Sequence, residues 1–207
     1  MSAREPVLNP VPIEDLRPTQ ITVGFREVGE KRLQWREHAS GEKGSEFLGR
    51  HMVPVVLGPK EKRYVIDHHH LVRALLDEGV EELLVNVIAD LSRLKKTEFW
   101  IFLDNRSWCH PYDEEGRRRG FDDIPSSIAG MTDDPYRSLA GELRRAGGFA
   151  KESTAFSEFM WADFLRRRLK PKLLADDFSA ALTKALKLAR SDAADHLPGW
   201  CGPDPIV

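Results

Sequence analysis

The stretch from Arg63 to Leu76, which runs Arg-Tyr-Val-Ile-Asp-His-His-His-Leu-Val-Arg-Ala-Leu-Leu, leaves little freedom in local structure. Tyr64, Val65 and Ile66 are β-formers, and the spacing of Leu71, Val72, Leu75 and Leu76 suits one face of a helix, so a strand is expected to run into a helix. Asp67 stands at the joint. A carboxylate there can accept a hydrogen bond from a backbone N–H two or three residues on, which makes Asp67 the expected N-cap. His68, His69 and His70 then fall in the first turn. The N–H groups of such a turn have no partner within the helix and lie at the positive end of its dipole, a combination that attracts phosphate or another anion. Capping alone would account for Asp67. The three histidines, out of seven in the chain, are what mark the joint as chemical. Adjacent helical side chains point about 100° apart, whereas paired metal-binding histidines usually sit at i and i+4. The cluster therefore fans out, and no histidine-held metal is expected.

Around this joint the residues build a small α/β unit. Val7 to Leu16, with Pro10 and Pro12, reads as an extended edge segment. Arg17 to Gln20 then opens a helix that runs on through Ile21, Phe25, Val28, Arg32 and Trp35, with Pro18 favourable at its start. Gly24 and Gly29 weaken that helix by about 1 kcal/mol each if they are interior. Ser40 to Ser45 is a loop before a short helix around Glu46 to His51. Val53 to Leu57 and Arg63 to Ile66, joined by Gly58 to Lys62, form a β-hairpin. Gly79 closes the Asp67 helix, and Leu83 to Ala89 is a further strand.

Beyond Ser92 the pattern turns helical. Helices are expected over Lys96 to Trp108 and Asp133 to Arg145, separated by a long Gly/Pro/Asp/Arg-rich connection from Cys109 to Thr132 whose length marks it as functional or mobile. Phe156, Phe159, Met160, Phe164 and Leu165 form one apolar face; Phe178, Leu182, Ala185, Leu186 and Ala189 form another. The expected class is α+β: a unit with a mixed sheet over 7–92, and a helical extension over 96–200 packed on it.

Composition narrows the function. No stretch approaches the ~18 apolar residues of a membrane helix, and Met1 to Pro12 has no apolar signal core, so no membrane partner and a cytoplasmic location are expected. Cys109 and Cys201 have no metal or redox spacing. The formal net charge of −2 does not support a chain that holds nucleic acid mainly through phosphates. Arg117 to Arg119 and Arg166 to Arg168 read first as solvated faces.

These residues resemble the ParB/sulfiredoxin-like superfamily, in particular its putative ParB-like nuclease branch. Leu16 to Gln20 with Val23, Gly24, Glu27 and Val28 is similar to the opening helix of that branch. Pro54 to Val56 and Tyr64 to Leu75 are similar to its strand, hairpin and phosphate-site helix, and Trp161 to Leu165 and Leu197 to Trp200 to its helical remainder. The resemblance implies a phosphate or nucleotide site at the start of the Asp67 helix. The Gly-Glu-Arg-Arg box of partition proteins is replaced here by Asp67, His68, His69 and His70, and no cysteine occupies the reactive position of sulfiredoxins. Free-serine kinases of the superfamily share Asp67, His69 and His70 through an Asp-Gly-His-His-Arg motif, but their catalytic Glu is Gln20 here and their Arg is Leu71.

The leading expectation is a nuclease in which Asp67 orients water or Mg²⁺, with His69 or His70 as acid, base or phosphate donor and Glu27 or Glu30 as a second carboxylate. His68, His69, His70 and Gln20 would bind the phosphate compound or nucleotide. The alternatives are a kinase acting on a small hydroxyl compound with ATP or ADP, Asp67 serving as base, and a non-catalytic nucleotide-gated or DNA-associated module.

Overall fold

The structure, a computed structural model, describes residues 10–39 and 42–203. Val7 to Asn9 of the expected edge segment and part of the 40–45 loop lie outside the described residues. The chain forms two units: one takes the described residues up to Ile21 with Val28–Pro111 and Arg119–Met131, the other Thr22–Glu27, Tyr112–Arg118 and the residues from Thr132 onward. No helix among the described residues is long and apolar enough to cross a membrane.

The first unit is built on a mixed five-stranded sheet in the order β1-β6-β4-β5-β2. Its strands are β1 (Pro10–Pro12), β2 (Leu16–Arg17), β4 (Val53–Leu57), β5 (Arg63–Val65) and β6 (Glu82–Asp90). β4 and β5 make the hairpin, with Val55 opposite Val65 and Leu57 opposite Arg63. At the turn, Gly58 N–H donates to Lys62 O at 2.8 Å, and a Cβ on Gly58 would stand 2.5–2.8 Å from the rings of Tyr64 and Phe99. Only glycine lets those rings close over the turn. β2 adds to β5 in parallel and β6 to β4 in parallel. Between β5 and β6 runs α3 (His69–Asp77), burying Leu71, Val72, Ala74 and Leu75. Gly79, at φ +74, ends it, with its N–H on Leu76 O and that of Val80 on Leu75 O. α4 (Lys96–Asn105) supplies Phe99, Trp100 and Leu103 to a core that includes Val56, Ile21 and Ile124.

Three boundaries differ from the sequence reading. The opening helix does not start at Arg17: α1 spans Phe25–His38. Arg17 precedes a proline, which disfavours helical backbone, and Ile21, Thr22 and Val23 are a β-branched run; these residues form β2, a bridge at Gln20 and β3 (Thr22–Val23). The short helix before β4, α2 (Glu42–Arg50), begins four residues earlier than expected. α4 stops at Asn105, before Ser107, whose φ is +54.

In the second unit, β3 pairs in parallel with β7 (Thr132–Asp133), and Asp133 Oδ1 accepts the Phe25 N–H at 2.7 Å, capping the start of α1. α5 (Pro135–Arg145), α6 (Ser157–Arg166), α7 (Pro171–Asp176) and α8 (Phe178–Ala189) follow. Asp134 caps α5 through the Tyr136 N–H, and Asp177 caps α8 through the Ala180 N–H. Trp161 is fully buried, stacked on Phe149 at 4.4 Å, and donates to Pro198 O at 2.8 Å. The inward face of α6 is Trp161, Ala162, Phe164 and Leu165, and Met160 is exposed.

One electrostatic feature of the first unit sets a pH dependence. Glu78, just after α3, takes hydrogen bonds from Arg36 and Arg32 of α1, which hold its carboxyl at about 2 instead of the usual 4.5. Because the folded value lies below the unfolded one, the stabilisation is present above pH 4.5 and is lost as pH falls toward 2. Glu78→Gln is therefore expected to be less stable than the parent in urea at neutral pH, with the difference closing as pH falls through that window. A difference independent of pH would contradict this assignment.

Candidate functional site

The joint between β5 and α3 has the expected residues but a different local geometry. Asp67 is exposed and its Oδ1 accepts the N–H of the next residue, His68, at 2.7 Å. His68, not Asp67, is thus the N-cap, at φ +66 and ψ +23 with no side-chain capping bond. A non-glycine residue in this left-handed region costs roughly 1–2 kcal/mol. The first ladder bond runs from Val72 N–H to His68 O at 3.0 Å. The N–H groups of His69, His70 and Leu71 therefore precede the ladder, at the positive end of α3.

The three imidazoles separate. His68 is exposed, His70 half-buried and His69 buried. His69 Nε2 lies 3.2 Å from the Thr19 N–H. A backbone amide can only donate, so Nε2 accepts, and the ring is neutral with its proton on Nδ1. With Nε2 taken, His69 holds structure rather than offering that nitrogen to a substrate.

Thr19 is the residue that the sequence reading did not single out. Its N–H goes to His69, its Oγ donates to Val65 O at 2.8 Å, and its carbonyl accepts the His110 N–H at 2.8 Å. It is 1% exposed. Gln20, also buried, follows directly and bridges to His110. The structure thus brings the backbone of the Thr19–Gln20 segment to the first turn of α3, 50 residues away in sequence. No pattern in the sequence announces this: threonine is a common strand residue, and its three partners come from distant segments. Nearby, burial raises the Tyr64 hydroxyl above its ordinary range, and Arg17 and Lys96 act against that shift.

Two other carboxylates were candidates for the site. Glu30 lies on α1 in the first unit; Glu27 belongs to the second unit, where its carboxylate lies against Gly141 of α5. Among the described residues, no group of three or more His, Cys, Asp or Glu side chains is placed to hold a metal ion. A lone Asp67 already engaged with its neighbour's N–H does not fit a protein-held Mg²⁺.

The His69 latch carries a direct expectation. His69→Leu leaves the buried Thr19 N–H without its acceptor and should cost about 1–3 kcal/mol in urea denaturation, with loss of hydrogen-exchange protection at Thr19. Unchanged protection at Thr19 would refute the latch.

The family model described as putative ParB-like nuclease matches residues 9–167. Among solved structures, protein Atu1540 from Agrobacterium tumefaciens is similar, with 55% identity and a TM-score of 0.90, covering 98% of this chain and 100% of that one. No curated protein matches the chain. The match spans most of the described chain, from β1 through the end of α6, and includes the whole β5–α3 joint. The chain belongs to the putative ParB-like nuclease family.

Proposed function

We propose that this ParB-like protein binds a phosphate ester at the start of α3 and hydrolyses it as a phosphodiesterase acting on nucleic acid. The observation that carries this reading is the backbone at His68: a left-handed residue leads straight into a helix whose first-turn N–H groups precede its hydrogen-bond ladder, with the exposed Asp67 carboxylate just before them. Backbone concavities of this kind favour anions. In this reading Asp67 is the base that orients an attacking water, and His70, with its ring half-buried, protonates the leaving oxygen. His68 contacts the phosphate, and His69 acts as a positioning residue through Thr19.

A second reading is phosphoryl transfer from ATP or ADP to a small hydroxyl compound. It is favoured by the Thr19–His69 bond, which brings the Gln20 segment to α3, since Gln20 stands where related kinases carry their catalytic Glu. Asp67 would then be the base toward the hydroxyl.

Asp67→Asn keeps an oxygen for the His68 N–H but removes the base. For a nuclease it should lower cleavage of DNA or RNA by about 10²–10⁴-fold with the fold intact by circular dichroism, and Gln20→Glu should have little effect. For a kinase, Gln20→Glu should raise phosphate transfer to hydroxy amino acids. Asp67→Asn without effect in every assay would leave a non-catalytic binding module.

A further inference from the structure

Strand β6 has a partner along only part of its outer edge. On one side it pairs with β4 from Val85 to Asp90, and on the other with β1 at Glu82, Leu83 and Leu84. Beyond Leu84, no strand among the described residues covers that second side. α2 comes near β6, yet Asn86 is exposed and Val87 and Ile88 are each 46% exposed. An apolar strand edge left open in this way invites another strand.

The hydrogen-bonding sense of that edge follows from its neighbours. Ile13 N–H donates to Glu81 O at 2.9 Å, and Val11 stands opposite Leu83. Bonded pairs of an antiparallel ladder recur at every second residue, so Leu83, Val85 and Val87 turn their N–H and C=O groups to the outer side. β4 gives the same parity. Pro54 O accepts the Ile66 N–H from the other side of β4, so Val53 and Val55 turn toward β6, where they stand opposite Val85 and Val87. In a parallel ladder such residues bond the neighbours of their partners, here Leu84 and Asn86, and leave Val85 and Val87 facing away.

The sequence around β1 has the matching pattern, Pro6-Val7-Leu8-Asn9-Pro10-Val11-Pro12. Continued backward from Pro10 opposite Leu84, the β1 register sets Asn9 opposite Val85, Leu8 opposite Asn86 and Val7 opposite Val87. Proline has no N–H, so on an edge strand it is tolerated where that group would face solvent. Pro10 and Pro12, both exposed, flank Val11 in this way. Pro6 falls on the same parity, and Val7, Asn9 and Val11, which have donors, fall on the other. Opposite residues share a face, so Val7 would cover the exposed Val87 as Val11, 4% exposed, meets Leu83, 2% exposed.

We propose that the outer edge of β6 at Val85 and Val87 is a strand-docking surface, and that its occupant is the chain's own segment 7–9, added as a continuation of β1. The segment closes an edge that a second copy of the chain could otherwise pair with. The surface is independent of the reading of α3.

Backbone amide exchange of the full chain, read by NMR with sedimentation velocity on the same samples, tests the pairing. Val85 and Val87 should be protected at every protein concentration. Asn9→Pro puts a ring where a donor should face β6, and should speed exchange at both residues about tenfold or more; Leu8→Pro, on the outward parity, should change neither. Leu83, paired with Val11, should stay protected throughout, which shows that β1 itself survives. The proposal falls if Val85 and Val87 exchange freely in the parent, which leaves the edge open, or stay protected in Asn9→Pro, which gives it another cover. It falls equally if Leu8→Pro loosens them as much as Asn9→Pro does. Protection that appears only in a dimer and fades on dilution overturns it in favour of a second copy. Should Asn9→Pro expose Leu83 as well, Val7→Pro decides, read at Val87 alone.

Discussion

The first unit hangs on one buried threonine. Thr19 spends its amide, hydroxyl and carbonyl on three separate segments: the start of α3, the end of β5 and the chain at His110. At 1% exposure none of these groups can turn to water instead. The Asp67 joint is thus positioned by hydrogen bonds as well as by its hydrophobic helix face. The His69 ring pays for this rigidity, since the nitrogen that fastens Thr19 is no longer a general base.

The second unit handles polarity differently. Its helices bury a conventional core around Trp161 and Leu165, yet α5 also carries Arg137, Ser138 and the Asp134–Arg166 pair inward. Burial pushes the Asp134 carboxyl upward, with Arg166 acting against it. Buried charge of this kind adds little net stability, because desolvation consumes most of the attraction.

Periodicity and end signals made several elements legible in advance. The β4–β5 hairpin, α3 with its Gly79 stop, and β6 follow from β-branched runs, apolar spacing and a glycine that adopts positive φ. The α+β class with a mixed sheet follows from the same signals. The opening helix begins later than the spacing suggests, because Pro18, favourable at a helix start, also disfavours helical backbone at Arg17, and Ile21 to Val23 are β-branched. Gly24 shows the reason it stands where it does: an added Cβ would come 2.7 Å from Ser138 N, so close approach to α5 requires a bare backbone. An Asp before an apolar run normally caps the helix, but here the Asp67 carboxylate folds back onto the adjacent N–H. Thr19 and Arg137 were illegible in principle, since their meaning lies in partners that only tertiary structure supplies.

His68 has a consequence of its own. At φ +66 the backbone there has the shape that glycine adopts without penalty. Glycine would make this turn without the steric cost that a Cβ brings. This chain instead hangs an imidazole from the tightest point of the turn. The same bend is made with less slack, because a histidine has fewer backbone states than glycine in the unfolded chain, and its side chain is exposed. One residue thus carries both the bend of the backbone and an imidazole.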